Sequence, residues 1–238
     1  MLLPPLTQGR ILSRYKRFFA DIELEDGSVV TAHCPNTGSM SGCWQPQAPA
    51  QISFSDNPKR KLAWTLERVD MGQGWVGVNT SRTNAVIAEW LAAESIAELA
   101  GYAEHRREVK FDIPGHDVKS RLDFLLTGHA DQPDMLIEVK NVTLWNGDGC
   151  LRFPDAVSDR AKRHLDGLLL AVQQGMRGAI LFALNRPEGE CFSPADDIDP
   201  AYAERLRQVV EQGVEVYAVR IAHTEQALTG SELVPVRP

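Results

Sequence analysis

The chain has 238 residues, 43% hydrophobic and 24% charged, which suits one large or two small globular domains. Lys plus Arg number 25 against 32 Asp plus Glu, a formal net charge of -7. That balance argues against indiscriminate coating of nucleic acid and leaves room only for a local basic groove.

The opening MLLPPLTQGR has two prolines and no basic n-region followed by an apolar h-region, so no secretory signal is read there. No stretch approaches the roughly 20 apolar residues that cross a bilayer, and no membrane role is expected. Short strand-like runs separated by turns follow: residues 17–24, the turn Glu25-Asp26-Gly27, and residues 28–33 form a hairpin pattern. Pro46, Pro49 and Asp56-Asn57-Pro58 punctuate the next part, and residues 61–69 and 75–78 supply further strands. Such short strands with little helix predict a small β-barrel, an OB-like barrel being one option.

The pattern changes after Asn79-Thr80-Ser81, and a domain boundary is placed at residue 82. Residues 84–99, rich in Ala, Glu and Leu, predict a helix ended by Gly101. Three strands follow at 108–113, 119–126 and 135–142. A second helix is predicted over 158–174, with Leu165, Leu168, Leu169 and Val172 on one face and Gly175 as its stop. Residues 178–184 form an apolar run expected of a strand buried on both faces. A third helix carrying Leu206, Val209 and Val210 ends at Gly213 and leads to a strand over 214–221. The chain therefore reads as α/β overall, with a barrel over 1–82 and an α/β domain over 83–238. Cys34, Cys43, Cys150 and Cys191 form no C-x-x-C pair, so zinc is not expected, and a cytoplasmic protein with reduced thiols is.

Alternate side chains of a strand share a face. In Arg121-Leu122-Asp123-Phe124-Leu125-Leu126, alternation places Leu122, Phe124 and Leu126 together and Arg121 with Asp123 opposite. In Leu136-Ile137-Glu138-Val139-Lys140, Ile137 and Val139 go to the core while Glu138 and Lys140 point away together. Gly128 and Pro133 lie between the two segments, so an antiparallel hairpin is predicted, with Asp123 and Glu138 as neighbours. Two adjacent carboxylates resist joint ionisation unless a cation lies between them. Oxygen ligands favour Mg²⁺ or Mn²⁺. Lys140 on the same face would orient an attacking water and offset charge on a phosphate. Asp123, Glu138 and Lys140 are thus the expected catalytic residues.

These residues resemble the D…(D/E)-x-K signature of the PD-(D/E)XK nuclease superfamily. More of the chain, in order, is similar to the bacterial sugar fermentation stimulation protein A family: residues 14–18, His33-Cys34-Pro35-Asn36-Thr37-Gly38-Ser39-Met40, Ser120-Arg121-Leu122-Asp123-Phe124, Ile137-Glu138-Val139-Lys140, Phe153-Pro154-Asp155-Ala156-Val157 and Phe192-Ser193-Pro194. The resemblance implies an N-terminal OB fold, a C-terminal PD-(D/E)XK nuclease-like domain, DNA binding and a role in regulating sugar (maltose) metabolism genes. A further acidic metal ligand is common in the nuclease superfamily. Glu108 is chosen for it beside Asp123 and Glu138, with Glu94 as the alternative.

Arg14, Tyr15, Lys16 and Arg17, followed by Phe18 and Phe19, interleave cations with aromatics, as in OB barrels that stack bases and neutralise phosphates. Lys59-Arg60-Lys61 offers a second phosphate contact. Arg160 and His164, four apart on the second helix, share a face and are expected near the scissile phosphate. Asp155 is expected to cap that helix, residues 33–38 to form a tight structural loop, and Cys34 is a nucleophile candidate without an evident base. The reading is a DNA-binding protein with a Mg²⁺-dependent phosphodiester site; its rival is a non-catalytic DNA-binding regulator of the same fold. The sequence fixes no oligomeric state, a homodimer being one option.

Overall fold

Short runs of β-branched and aromatic residues, cut by Gly and Pro turns, build the first part of the molecule. The computed structural model describes residues 1–112, 119–147 and 149–238. Strands β1 (Leu6–Tyr15), β2 (Phe19–Leu24), β3 (Val29–His33), β4 (Pro49–Phe54), β5 (Trp64–Asp70) and β6 (Trp75–Gly77) make one sheet of order β3-β2-β1-β4-β5-β6. A parallel pairing of β3 with β5 closes the first five into an OB barrel. Ile11, Ile22, Ile52 and Leu66 fill it and are fully buried. Strands β1 and β4 were not anticipated, because Pro49 and the polar residues of β1 mask their alternation. The basic-aromatic run 14–19 is not one strand: Lys16 and Arg17 (φ 49° and 64°) turn the chain between β1 and β2.

Helix α1 (Thr83–Ala92) begins the second part, followed by β7 (Glu104–Asp112), β8 (Lys119–Thr127) and β9 (Met135–Val142). The predicted helix to residue 99 is shorter in fact, since Glu94 takes a left-handed φ of 50° and ends it. The expected strand end at residue 113 lies outside the described residues. Next come β10 (Leu144–Trp145), β11 (Cys150–Phe153), α2 (Asp159–Gln173), β12 (Arg177–Leu184), β13 (Cys191–Pro194), α3 (Pro200–Glu211), β14 (Glu215–His223) and β15 (Leu228–Leu233). A mixed sheet of order β15-β14-β12-β9-β8-β7 forms the centre, and β10-β11-β13 form a small second sheet. Helix α1 contributes Val86, Ile87 and Leu91 to the core on one face. Helices α2 and α3 cover the other through Leu165, Leu168, Tyr202 and Leu206. Strand β12, between two parallel neighbours, is buried on both faces.

Leu122 packs with the α2–α3 core, whereas Phe124 and Leu126 pack on the α1 side, so alternation slips at Asp123. The thiols are not all reduced: the parallel register of β11 and β13 sets Cys150 opposite Cys191, Cα atoms 4.5 Å apart, and a disulfide joins them. Their separation of 41 residues hid that pairing, because it arises only from the small sheet. Cys34 and Cys43 are buried free thiols. Among the described residues no helix is long and apolar enough to cross a membrane.

The two parts are joined by polar contacts rather than by a shared core. Arg68, buried in the barrel, donates to the Thr224 and Glu225 carbonyls (2.6 and 3.2 Å). The Gly77 N–H donates to the Asn185 carbonyl (2.8 Å). Within the second part, Asn141, at the end of β9, accepts from Thr83 Oγ1 and Asn185 Nδ2, each at 2.8 Å. These bonds fix the end of β9 that carries the candidate site.

Candidate functional site

Strands β8 and β9 pair through Leu126–Met135, Leu125–Leu136 and Phe124–Ile137, and there the ladder stops. The next positions are Asp123 and Glu138. The Val139 N–H, freed from the ladder, donates to Asp123 Oδ2 (2.8 Å), and Asn84 Nδ2 in the first turn of α1 donates to Oδ1 (2.7 Å). The pairing of β7 with β8 also skips Asp123: its opposite residue, Glu108, has a left-handed φ of 53°. A non-glycine residue held there is a local distortion of the kind that gathers at functional sites.

Glu138 is 3% exposed. Its Oε1 accepts from Lys140 Nζ (2.6 Å) and meets His164 Nδ1 of α2. Lys140 Nζ lies 3.0 Å from that same nitrogen. Arg160 Nε–H points at His164 Nε2 (3.5 Å), which fits the tautomer with its proton on Nδ1, donated to Glu138. Glu138 Oε2 is buried with no hydrogen-bond partner among the described residues. An orphaned buried carboxylate oxygen is costly and calls for a bound group.

The electrostatics separate the two acids. Burial, then the neighbouring Glu138 charge, raises the Asp123 carboxyl to about 6, against the lowering bonds from Val139 and Asn84. Burial also works to raise Glu138, but the His164 hydrogen bond and the Lys140 charge outweigh it and hold that carboxyl below its ordinary value. The site thus contains one firmly ionised carboxylate and one whose ionisation a cation would favour.

The structure brings Asp123, Glu138 and Lys140 together. It does not bring Glu108 to them: that carboxylate is 61% exposed and paired with Arg121. Glu94, the alternative, accepts from the Gly101 N–H beyond the far end of α1. Among the described residues no cluster of three or more His, Cys, Asp or Glu side chains suits a metal. His164, expected with Arg160 near the scissile phosphate, is 5% exposed and faces Glu138 within the candidate site. Sequence reasoning named His164 but not its contact with Glu138, although His164 directly precedes Leu165 of the apolar stripe. It also missed Asn84, for which a polar residue at a helix start is too common a signal.

Of the basic-aromatic run, Arg14 is spent on the protein. Its Nη2 donates to the Arg17, Asn36 and Gly38 carbonyls (3.2, 3.0 and 2.9 Å) and its Nη1 to Ser39 (3.4 Å). It therefore orders residues 33–40. Tyr15, Lys16, Arg17 and Phe18 remain exposed at the hairpin tip, with Tyr15 stacked on Phe19. Of the Lys59-Arg60-Lys61 triplet, Arg60 donates to Thr65 (2.5 Å) while Lys59 and Lys61 are exposed.

Asp155 does not cap α2; Ser158 does, accepting from the Ala161 N–H (3.1 Å). Asp155 Oδ2 instead accepts from Ser39 Oγ and the Met40 N–H, each at 3.3 Å. A Cβ on Gly38 would lie 2.3 Å from that oxygen, so only glycine permits the approach. The loop 33–40 is thus a clasp between barrel and second domain. Cys34 lies inside it, buried against Met40.

Two family models match the chain: "SfsA N-terminal OB domain" over residues 12–78 and "Sugar fermentation stimulation protein RE domain" over residues 81–227. A sugar fermentation stimulation protein homolog of Acidithiobacillus ferrooxidans is 49% identical over 220 residues, covering 92% of each chain. One of Geobacter sulfurreducens is 46% identical over 237 residues, 99% of this chain and 98% of the other. The solved structure of Pyrococcus furiosus SfsA in complex with Ca²⁺ superposes with a TM-score of 0.88 at 23% identity, covering 100% of this chain and 98% of that one. It has the same fold.

Proposed function

The chain belongs to the sugar fermentation stimulation protein family, and we propose that it binds nucleic acid and hydrolyses phosphodiesters with a divalent cation. The catalytic part is assigned to residues 83–238 and the binding part to 1–82. One observation carries the reading: Asp123 and Glu138 meet where the sheet opens, with Glu138 Oε2 unpartnered among the described residues and Lys140 at 2.6 Å from Oε1. A binding-only protein has no need to crowd carboxylates where phosphates approach.

The residues fit a hard divalent ion. Asp123 and Glu138 supply oxygen ligands, and Mg²⁺ ordinarily takes one or two carboxylates, keeping water and phosphate for its other positions. The Ca²⁺ in the Pyrococcus relative is of the same oxygen-seeking class. Such an ion supplies Lewis acidity toward water and phosphoryl oxygen. The chain's own residues do the rest. Asn84 and the Val139 N–H orient Asp123, and His164 orients Glu138. Lys140 holds a positive charge beside the place where negative charge grows in the transition state. Lys16, Arg17 and the exposed rings of Tyr15 and Phe18 supply phosphate and base contacts on the barrel.

The test is incubation of purified protein with single- and double-stranded DNA and RNA in Mg²⁺, Mn²⁺ or EDTA. Wild type cleaves only with metal, and Asp123→Ala or Lys140→Ala lowers the rate by about 10²-fold or more. Equal cleavage by the variants, or binding with no cleavage in any metal, defeats the catalytic reading; the second outcome describes a regulator.

A further inference from the structure

A cavity of about 360 Å³ lies between the barrel and the second domain. Its wall includes Asn141, next in the chain to Lys140, and Ser158, which caps the helix carrying Arg160 and His164. The cavity thus borders the end of β9 and the start of α2, the two elements that carry Glu138, Lys140 and His164, although those side chains do not themselves line it. Phe153 and Val157 give it an apolar side, and Asn36 of the clasp gives it a polar one. That wall is rigid, since Arg14 binds the carbonyls of Asn36 and Gly38 while Asp155 takes Ser39 and Met40. Asp155, the acidic residue among those lining the cavity, already accepts two hydrogen bonds through Oδ2.

Arg17 also lines the cavity, from the exposed hairpin tip, and its guanidinium has no acceptor among the described residues. Its left-handed φ of 64° holds it at that turn. Beside it, Tyr15 and Phe18 are 40% and 44% exposed. An exposed cation, aromatic rings within two residues of it in the chain and an apolar side wall are parts from which single-strand sites are built. The volume is at the small end of ligand cavities, which run from about 300 to 1,000 Å³. It suits one base with its sugar and is too small for a stacked base pair.

We propose that this cavity takes one unpaired nucleotide of a single-stranded nucleic acid, adjoining the phosphodiester presented to Asp123 and Glu138. The phosphate lies on Arg17 and the base against Phe153 and Val157. The inference rests on the preceding functional reading for the neighbouring site, but its test does not depend on cleavage. Duplex substrates then enter only where an end frays or a base is turned out of the stack, which carries an unpairing penalty.

The experiment is fluorescence anisotropy with the full chain in EDTA, using short labelled oligothymidylate, oligouridylate and a blunt DNA duplex of the same length. Either single strand binding at least about tenfold tighter than the duplex supports the proposal, and the two single strands show which sugar is preferred. Ala156→Trp, at an exposed position that lines the cavity, weakens that binding by about tenfold, the equivalent of one lost base stack, and Arg17→Ala weakens it by about tenfold through a lost phosphate contact. Circular dichroism checks that both variants fold, and Arg17→Ala, at an exposed turn, keeps the test open if Ala156→Trp does not. Wild-type affinity in a folded variant, or preference for the duplex, overturns the proposal. Absence of cleavage with this pattern intact removes the catalytic reading alone; cleavage retained without the pattern removes this one alone.

Discussion

Replacing Asp123 with Asn removes a charge that the fold holds against burial. The Asp123 carboxyl titrates at about 6 in the folded protein against an ordinary 3.8. Below about pH 4 the group is protonated in both folded and unfolded states, and it contributes nothing. Between about pH 4 and 6 the folded chain retains a proton that the unfolded chain has released, so stability falls as pH rises. Above pH 6 the full difference applies: two pKa units at about 1.36 kcal/mol each, or about 3 kcal/mol. Asn keeps an acceptor for the Val139 N–H, and rotation of the Asn84 amide restores the second bond, so about 2 kcal/mol is recovered. For a chain of this size that is about 4–8 °C in Tm. Thermal unfolding by circular dichroism in EDTA from pH 4 to 8 is the assay. Asp123→Asn melts with wild type at pH 4, above it at pH 8, and shows no metal-dependent cleavage. A gap that does not vary with pH, or a variant less stable at pH 8, refutes the electrostatic account.

Other consequences are equally direct. Asp155→Ala releases the clasp and lowers stability by about 1–2 kcal/mol, read as a lower Tm and faster amide exchange in residues 33–40. Gly38→Ala destabilises more, because its Cβ would lie 2.3 Å from Asp155 Oδ2; the double variant falls short of the sum, since removing Asp155 removes the clash. Reducing the Cys150–Cys191 disulfide, which spans 41 residues, costs about 4 kcal/mol on chain-entropy grounds. Wild type loses Tm on adding reductant, and a Cys150→Ser variant starts low and does not respond.

Much of the fold was legible because the second half has strong local signals. Met135–Val142 was located to the residue, and Ser158 and Gly175 bounded α2. The barrel was less legible, since β1 ends in the basic run that turns into β2 and β4 begins at Pro49. The small sheet β10-β11-β13 was missed altogether: its strands have 2, 4 and 4 residues, too few for periodicity. Glu138 and Lys140 stood out because strand alternation and E-x-K spacing carry their geometry, whereas Asp123 lies where alternation slips and reaches Glu138 through the β8–β9 hairpin pairing. His164 and Asn84 reach them through tertiary packing, which no local pattern encodes. Glu108 fails as a ligand for a backbone reason: its left-handed φ goes with a side chain turned to Arg121 and solvent. Arg14 and Asp155 had chemistry that suited a ligand or a helix cap, but their partners lie 25 and 116 residues away at Ser39.

Single-turnover cleavage of a labelled single-stranded oligonucleotide in Mg²⁺, by wild type and by Asp123→Ala purified in parallel, tests the central claim most directly. The account predicts cleavage by wild type that EDTA abolishes and the variant lacks by about 10²-fold or more. Equal cleavage by both proteins, or none by wild type while it binds the strand, contradicts it.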